Sequence, residues 1–244
     1  MSELFGGALG RPWVIALLAA WALLLFGGFI FGATNADGSR RMPAWTRMGS
    51  SLALTALAWG AALAAGPGLG WIAVLAALGM TFGLIGDLFM AHLIPAKTPV
   101  LGGIGSFGVG HVCYIASFLL WGASFAAGGA TPRLLAWAAW LLLGLAGWYW
   151  IVFRPAKPSA LHWAALPYTL LLATTAGVAT GLALSAAAMI PLAVGAALFL
   201  LSDLILATQL FNKAHFPLIS DVVWLTYGPG QMLIVLAMAG RLLA

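Results

Sequence analysis

The sequence predicts an all-α, polytopic membrane protein, built as a single integral membrane domain over residues 1–244. Hydrophobic residues make up 64% of the chain and charged residues only 6%, whereas soluble domains carry roughly 25% charged residues. The mean hydropathy of +1.08 supports the same class. A spanning helix needs about 20 apolar residues, so the chain has room for seven or eight helices with short loops, and we expect no separate soluble domain.

Apolar runs between Pro, Gly and charged residues divide the chain into eight predicted transmembrane helices. They cover 12–33, 47–65, 69–93, 100–121, 133–153, 160–181, 188–211 and 221–241. The first run follows Arg11 and resembles a signal peptide, but it is longer than the roughly 7 to 15 residues of a signal hydrophobic region. We therefore interpret it as the first transmembrane helix.

The distribution of Lys and Arg predicts the orientation of these helices. Segments that follow the odd-numbered helices contain seven basic residues, whereas the opposite side contains three, Arg11, Arg133 and Arg241. The seven are Arg40, Arg41, Arg47, Lys97, Arg154, Lys157 and Lys213. The positive-inside rule then places both termini outside the cytoplasm of a multi-pass cell-membrane protein, which would be the inner membrane in a bacterium. Because the ten basic residues are scattered, no nucleic-acid partner is predicted despite a pI of 9.9.

Two pairs of segments predict an internal repeat. Residues 21–31 resemble residues 140–150, and residues 83–91 resemble residues 199–207. The offset spans four helices, so the two halves, 12–121 and 133–241, would have the same orientation. The pattern indicates a 4+4 parallel repeat.

Two aspartates lie inside predicted helices, Asp87 and Asp203. A carboxylate at mid-membrane costs roughly 2.5 to 3.5 kcal/mol on insertion scales, so such a residue indicates function. The competing interpretation is a structural hydrogen bond between helices. The remaining acids are expected elsewhere, with Glu3 and Asp37 outside the helices and Asp221 capping the start of the eighth helix.

His111, Tyr227 and Gln231 are expected with the two aspartates in the inner half of the bilayer. His111 and Tyr114 are three residues apart, and Tyr227 and Gln231 are four apart, so each pair shares a helix face. Each has a structural alternative: His111 as a core histidine, and the remaining three as hydrogen-bonding residues in helix packing.

Two further patterns carry less specific signals. The segment GIGSFG at 103–108 fits a dinucleotide motif but follows no strand, so we interpret the small residues around it, Gly102, Ser106 and Gly110, as a helix-packing face. Zinc motifs are missing from the sequence and Cys113 is its only cysteine, although a metal held by Asp87, Asp203 and His111 stays an alternative.

Four short motifs in order resemble the YhhN family, which includes the TMEM86 lysoplasmalogenases. They are GD at 86–87, F-x-x-x-H-x-x-Y at 107–114, SD at 202–203 and Y-x-x-x-Q-x-L-I at 227–234. Family members often have Lys-Pro near the start of the second helix, where this chain has Arg47-Met48. The resemblance implies hydrolysis of the vinyl ether bond of lysoplasmalogens, releasing a fatty aldehyde and glycerophosphoethanolamine or glycerophosphocholine.

This chemistry requires an acid and a base but no metal or cofactor. Two carboxylates in apolar surroundings suit it, because repulsion favours a protonated acid beside an ionised partner; which aspartate is the acid stays open. The predicted catalytic residues are Asp87, Asp203 and His111. The predicted substrate contacts are Tyr114, Tyr227, Gln231, Ser202 and Arg47. The partners would be a single-chain ether phospholipid and the bilayer. The alternatives are a proton-coupled transporter of a small solute or lipid, and a non-catalytic lipid-binding or scaffold protein.

Overall fold

Eight long α-helices form the fold, in a computed structural model that describes residues 7–125, 129–154 and 158–243. They are α1 Pro12–Phe31, α2 Ala44–Ala64, α3 Gly70–Met90, α4 Pro99–Phe125, α5 Ala130–Gly147, α6 Ala160–Ser185, α7 Ile190–Asn212 and α8 Ile219–Leu242. A π-helical turn, Trp148–Phe153, continues α5. With that turn included, each predicted span coincides with one helix to within four residues at either end, so the all-α class is confirmed. Glu3 and Lys157 lie outside the described residues.

Seven of these eight helices are long and apolar enough to cross a membrane. The exception is α2, for which the sequence predicted a transmembrane helix like the rest. Its polar residues are buried inside the bundle, where it packs on α1, α3 and α8. They are Thr46, Arg47, Ser50, Ser51 and Thr55. The lower hydropathy of α2 therefore comes from polar residues that face the interior of the bundle. With seven helices able to cross a membrane, the protein is a multi-pass membrane protein.

The outer surface of the bundle is apolar, as a bilayer requires. Leu63 is 86% exposed and Trp71 is 78% exposed. Polar side chains such as Ser117, Thr175 and Gln231 are instead buried. Because lipid tails are as apolar as leucine, hydrogen bonds and close packing assemble such helices, with little contribution from the hydrophobic effect.

Small residues allow α3 and α4 to approach closely. A Cβ atom on Gly110 would lie 2.9 Å from the Gly79 carbonyl oxygen, and one on Gly102 would lie 2.7 Å from the Phe89 ring. A Cβ atom on Gly79 would in turn meet the Tyr114 ring at 2.5 Å. The helix-packing role expected of Gly102 and Gly110 is confirmed, and residues 103–108 lie inside α4.

Local sequence signals account for several helix ends. Pro12 occupies the first turn of α1, where its missing N–H costs nothing. Ser159 and His162 form a reciprocal capping box at the start of α6. The two helix-interior prolines, Pro167 in α6 and Pro229 in α8, are of the kind that neighbouring helices make tolerable in membranes.

Asp221 fastens the loop between α1 and α2 to the start of α8. Its Oδ2 atom accepts the Arg41 N–H at 2.6 Å and its Oδ1 atom accepts the Met42 N–H at 3.0 Å. Asp221 was expected to cap the N–H groups of its own helix, and this expectation is wrong. The residue lies in the first turn of α8, but its carboxylate accepts backbone N–H groups of the loop between α1 and α2. Backbone N–H groups need acceptors when they leave water, so this carboxylate stabilises the loop.

Candidate active site

The two intramembrane aspartates face one cavity of about 290 Å³, which we call the polar cavity. It lies between α2, α3, α4, α7 and α8. Asp87 comes from the last turn of α3, and Asp203 comes from beyond the midpoint of α7. The lining residues are Arg40, Arg47, Asp87, Met90, His92, Pro99, Val100, Phe107, Asp203, Leu206, Gln209, Leu210, Ser220, Val223, Trp224 and Tyr227.

Asp87 ends a chain of hydrogen-bonded side chains from four helices. It is only 3% exposed, and its Oδ2 atom accepts the Ser51 hydroxyl at 2.5 Å and the Tyr227 phenol at 3.0 Å. The Tyr227 oxygen accepts the Gln231 amide at 3.3 Å, and Gln231 Oε1 accepts the Tyr114 phenol at 2.9 Å. A buried network of this kind fixes the rotamers of its members. No described residue donates to Asp87 Oδ1, which leaves that oxygen to the cavity.

Asp203 is held by a different tyrosine. The Tyr168 phenol donates to its Oδ2 atom. The Ser202 hydroxyl lies 3.4 Å from Oδ1, but its shorter bond, at 2.7 Å, goes to the Phe199 carbonyl oxygen of its own helix. Ser202 is fully buried and does not line the polar cavity. The predicted substrate contact of Ser202 is therefore not supported, because the hydroxyl is committed to the helix backbone, as serine often is.

His111 lies behind the polar cavity. Its Nδ1 atom is 2.9 Å from the Thr175 hydroxyl, which itself donates to the Leu171 carbonyl. Nδ1 must therefore carry the proton, an assignment made from the hydrogen-bond network. Nε2 is buried and has no partner among the described residues. The ring packs 4.6 Å from the ring centre of Phe199. His111 is not among the residues that line the polar cavity, so its predicted catalytic role stays a prediction.

The remaining predicted substrate contacts divide into two groups. Arg47 and Tyr227 line the polar cavity, whereas Tyr114 and Gln231 lie behind it in the network that ends at Asp87. The Arg47 guanidinium lies 5.3 Å from the ring centre of Trp224, a cation–π contact.

Aromatic rings surround the carboxylates. The ring of Tyr227 makes edge-on contacts with Phe107, Phe199 and Trp224 at centroid distances of 6.1, 5.0 and 5.3 Å. Such rings exclude water and offer negative faces to a cation. The arrangement can therefore hold a developing positive charge between two carboxyl groups.

A smaller cavity of about 70 Å³, which we call the apolar cavity, adjoins the polar one. It lies among α4, α6, α7 and the π-helical turn that continues α5. π-helical turns are frequent at functional sites. Asp203 and Phe107 line both cavities, so Asp203 lies where polar surroundings give way to apolar ones.

Sequence reasoning missed Tyr168, Ser51 and Thr175. Tyr168 is one of only four tyrosines and lies well inside a predicted helix, which was a usable signal. Ser51 follows Arg47 by four residues and shares its helix face. The sequence held no comparable signal for Thr175, because threonines in membrane helices commonly bond to their own backbone.

The metal alternative finds no support in the described residues. They contain no group of three or more His, Cys, Asp or Glu residues close enough to hold a metal ion. His111 bonds to Thr175 through Nδ1 and does not line the polar cavity that both aspartates face.

Comparison with known proteins gives one finding. The family model of the YhhN family matches residues 42–238, a range that includes every aspartate, tyrosine and arginine discussed at the two cavities except Arg40. No curated protein and no solved structure matches the chain significantly.

Proposed function

Because the chain belongs to the YhhN family, we propose that it is an intramembrane hydrolase that cleaves the vinyl ether bond of a lysoplasmalogen. The products would be a fatty aldehyde and glycerophosphoethanolamine or glycerophosphocholine. The observation that carries this proposal is that two carboxylates line one polar cavity, and that one of them, Asp203, lies where this cavity meets an apolar one. A lysoplasmalogen has the same order of parts: a polar head group, the ether bond and a single chain.

Asp203 is the proton donor in this proposal. It faces the apolar cavity, where the first carbons of the chain would lie, so it is nearest to the β-carbon of the vinyl ether. Tyr168 already donates to Oδ2, so the transferable proton belongs on Oδ1. Its transfer to the β-carbon leaves an oxocarbenium ion shared by the α-carbon and the ether oxygen. Comparable cations form during glycoside hydrolysis, where carboxylates also flank the reacting bond.

Asp87 is the base. Ser51 and Tyr227 occupy its Oδ2 atom, so Oδ1 takes the proton from a water molecule as that water adds to the α-carbon. The resulting hemiacetal then breaks its bond to the glycerol oxygen. Asp87 returns its proton to that oxygen, and Asp203 recovers a proton from the hemiacetal hydroxyl. One water is consumed, one aldehyde and one alcohol form, and both carboxyl groups return to their starting states.

The parallel repeat is part of the proposal, because the two halves contribute matching residues to the site. Four pairs of site residues are 116 or 117 positions apart. These pairs are Ser51 and Tyr168, Asp87 and Asp203, His111 and Tyr227, and Tyr114 and Gln231. The helix contacts have the same symmetry: α2 of the first half packs on α8 of the second, and the corresponding helix α6 packs on α4. Duplication of a four-helix unit would bring one aspartate from each half to a shared cavity.

The membrane orientation is also proposed. Arg40 and His92 line the polar cavity and belong to loops that the positive-inside rule assigns to the cytoplasm. The cavity would then open toward the cytoplasmic leaflet of the cell membrane, with both termini outside. Labelling of single cysteines added at the carboxyl terminus checks this orientation, and a cytoplasmic terminus would contradict it.

The proposed function is tested by incubating the purified protein with a lysoplasmalogen and measuring free aldehyde. We expect aldehyde from the lysolipid and much slower turnover of the intact two-chain plasmalogen, because the apolar cavity is small. A saturated alkyl-ether lysolipid serves as the control, since it lacks the double bond that accepts the proton. If a well-folded preparation releases no aldehyde from the lysolipid, the proposal is wrong.

A further inference from the structure

Arg47 is a buried cation without an anion bound to it in the described part of the chain. The residue is only 8% exposed. Its Nε atom is buried and makes no hydrogen bond to any described residue. Its guanidinium packs against the ring of Trp224. Buried arginines normally pair with an anion, because removing a charge from water is costly.

Asp87 and Asp221 are close enough to Arg47 to interact with its charge, but neither accepts a hydrogen bond from it. Asp87 Oδ2 accepts hydrogen bonds from Ser51 and Tyr227. Both oxygens of Asp221 accept backbone N–H groups of the loop between α1 and α2. Arg47 nevertheless lines the polar cavity, beside space that a ligand can fill.

We infer that Arg47 and Arg40 form a binding site for the phosphate ester of the single-chain lipid, at the loop end of the polar cavity. The identity of the lipid rests on the proposed function. Arginine suits this ligand because its planar fork donates two parallel hydrogen bonds to phosphate oxygens. Arg40 lines the same cavity and adds a second positive charge. Gln209 and Ser220, which bond to each other at 3.3 Å, complete a polar rim.

This site also fixes the direction in which the lipid enters. With the phosphate on Arg47 and the first carbons of the chain in the apolar cavity, the glycerol and its ether bond lie between them. Asp203 lines both cavities and so lies at that level. The phosphate site would therefore place the reacting bond at the carboxylates and contribute most of the preference for a phospholipid over a neutral ether.

Binding without turnover tests the inference, in a non-ionic detergent that contains no phosphate. The probe is a saturated 1-O-alkyl glycerophosphocholine, and its partner is the 1-O-alkylglycerol of the same chain length. We expect Arg47→Gln to raise the Kd of the phospholipid by roughly 10- to 100-fold, the effect of losing charge-assisted hydrogen bonds. The Kd of the alkylglycerol should not change. Arg41→Gln is the matched control, because the Arg41 guanidinium bonds to the carbonyls of Ile30 and Gly32, outside the cavity.

Several outcomes would overturn the inference. Equal weakening of both lipids by Arg47→Gln would assign Arg47 to folding and not to phosphate binding. Competition by inorganic phosphate or glycerophosphocholine at the affinity of the lipid would mean that the site serves free phosphate esters. If Arg47→Gln does not fold, the same two Kd values are measured for Arg47→Lys and Arg40→Gln. An unchanged preference for the phospholipid in both variants would contradict the proposed phosphate site. Hydrolysis plays no part in these measurements, so absence of aldehyde would contradict the proposed function alone.

Discussion

Tyr227 of α8 donates a hydrogen bond to Asp87 of α3 across 3.0 Å. A second tyrosine, Tyr168 of α6, donates in the same manner to Asp203 of α7. Each aspartate thus has one oxygen held by a tyrosine from a neighbouring helix, and both aspartates line the polar cavity. The arrangement fixes the orientation of both carboxyl groups while leaving an oxygen of each for a reaction.

Replacement of either aspartate by asparagine separates catalysis from architecture. Asparagine keeps the shape of the side chain but cannot transfer a proton. We expect Asp87→Asn and Asp203→Asn each to lower turnover by at least the roughly 100-fold typical of general acid–base groups. The double variant should be little worse than the poorer single one, because the two groups act as a unit.

Asp37→Asn is the matched control, because Asp37 is exposed in a loop and its carboxylate bonds to the nearby Ser39. It should retain wild-type turnover. Aldehyde release and a thermal unfolding curve are measured for each variant. Full activity in a well-folded Asp87→Asn or Asp203→Asn protein would remove that residue from the mechanism.

Tyr168→Phe tests the group that holds Asp203. Loss of the phenol frees Asp203 Oδ2, and a hydrogen bond to a carboxyl group is worth enough to change the rate roughly tenfold. We expect kcat to fall by about that factor with little change in KM, since Tyr168 orients the acid and does not bind the head group. Tyr149→Phe is the control, because the Tyr149 side chain is exposed and lines neither cavity, and it should leave both constants unchanged. A rise in KM alone would instead assign Tyr168 to lipid binding.

The sequence predicted the depth of the site residues but not their rotation about each helix axis. Asp87, Tyr227 and Gln231 were identified because charge or spacing marks them, and the structure joins them in one network. His111 was expected at the same depth, yet it bonds to Thr175 of α6 and does not line the polar cavity. The side chain that each residue meets depends on close helix contacts, such as that of Gly79 with the Tyr114 ring, which no periodicity in a single helix reveals.

Hydrogen bonds between a side chain and a distant backbone segment could not be predicted from the sequence either. The bond from the Arg41 N–H to Asp221 joins residues 180 positions apart. An aspartate in the first turn of a helix normally indicates capping, so the local signal pointed to the wrong partner. The helix count and boundaries were predictable because apolar runs of about 20 residues are characteristic of membrane-spanning helices.

His111→Asn separates the two nitrogens of the imidazole. The asparagine amide can still donate to Thr175 from the place of Nδ1, but nothing replaces Nε2. Because His111 does not line the polar cavity, we expect turnover within about threefold of wild type, well below the effect of losing a general acid or base. His111→Leu loses the bond as well and should lower the free energy of unfolding by about 1 kcal/mol. A drop in turnover comparable to that of the aspartate variants would place Nε2 in the mechanism.

Exhaustive chelation should leave activity intact. The proposed steps move protons between two carboxyl groups, a water and the substrate, so no Lewis acid is needed. Turnover is measured after treatment with EDTA and with phenanthroline, each followed by removal of the chelator. Loss of activity that zinc restores would contradict this expectation and would reassign Asp87 and Asp203 as metal ligands.

Asp221→Asn tests the bonds that fasten the loop between α1 and α2. The carboxylate accepts two backbone N–H groups, whereas an amide can accept only one and presents a donor to the second. We expect the free energy of unfolding to fall by about 1 to 3 kcal/mol, the cost of an unsatisfied buried donor. Asp37→Asn, in the same loop but exposed, should change it little. An unchanged unfolding curve would show that the loop keeps its position without Asp221.

The same variant should also affect lipid binding. The loop carries Arg40 and leads directly into the first turn of α2, which holds Arg47. Because both arginines line the polar cavity, loosening the loop should raise KM for the lysolipid more than it lowers kcat. Steady-state aldehyde release over a range of lysolipid concentrations separates the two constants. A fall in kcat alone would mean that the loop acts on the carboxylates and not on the head group.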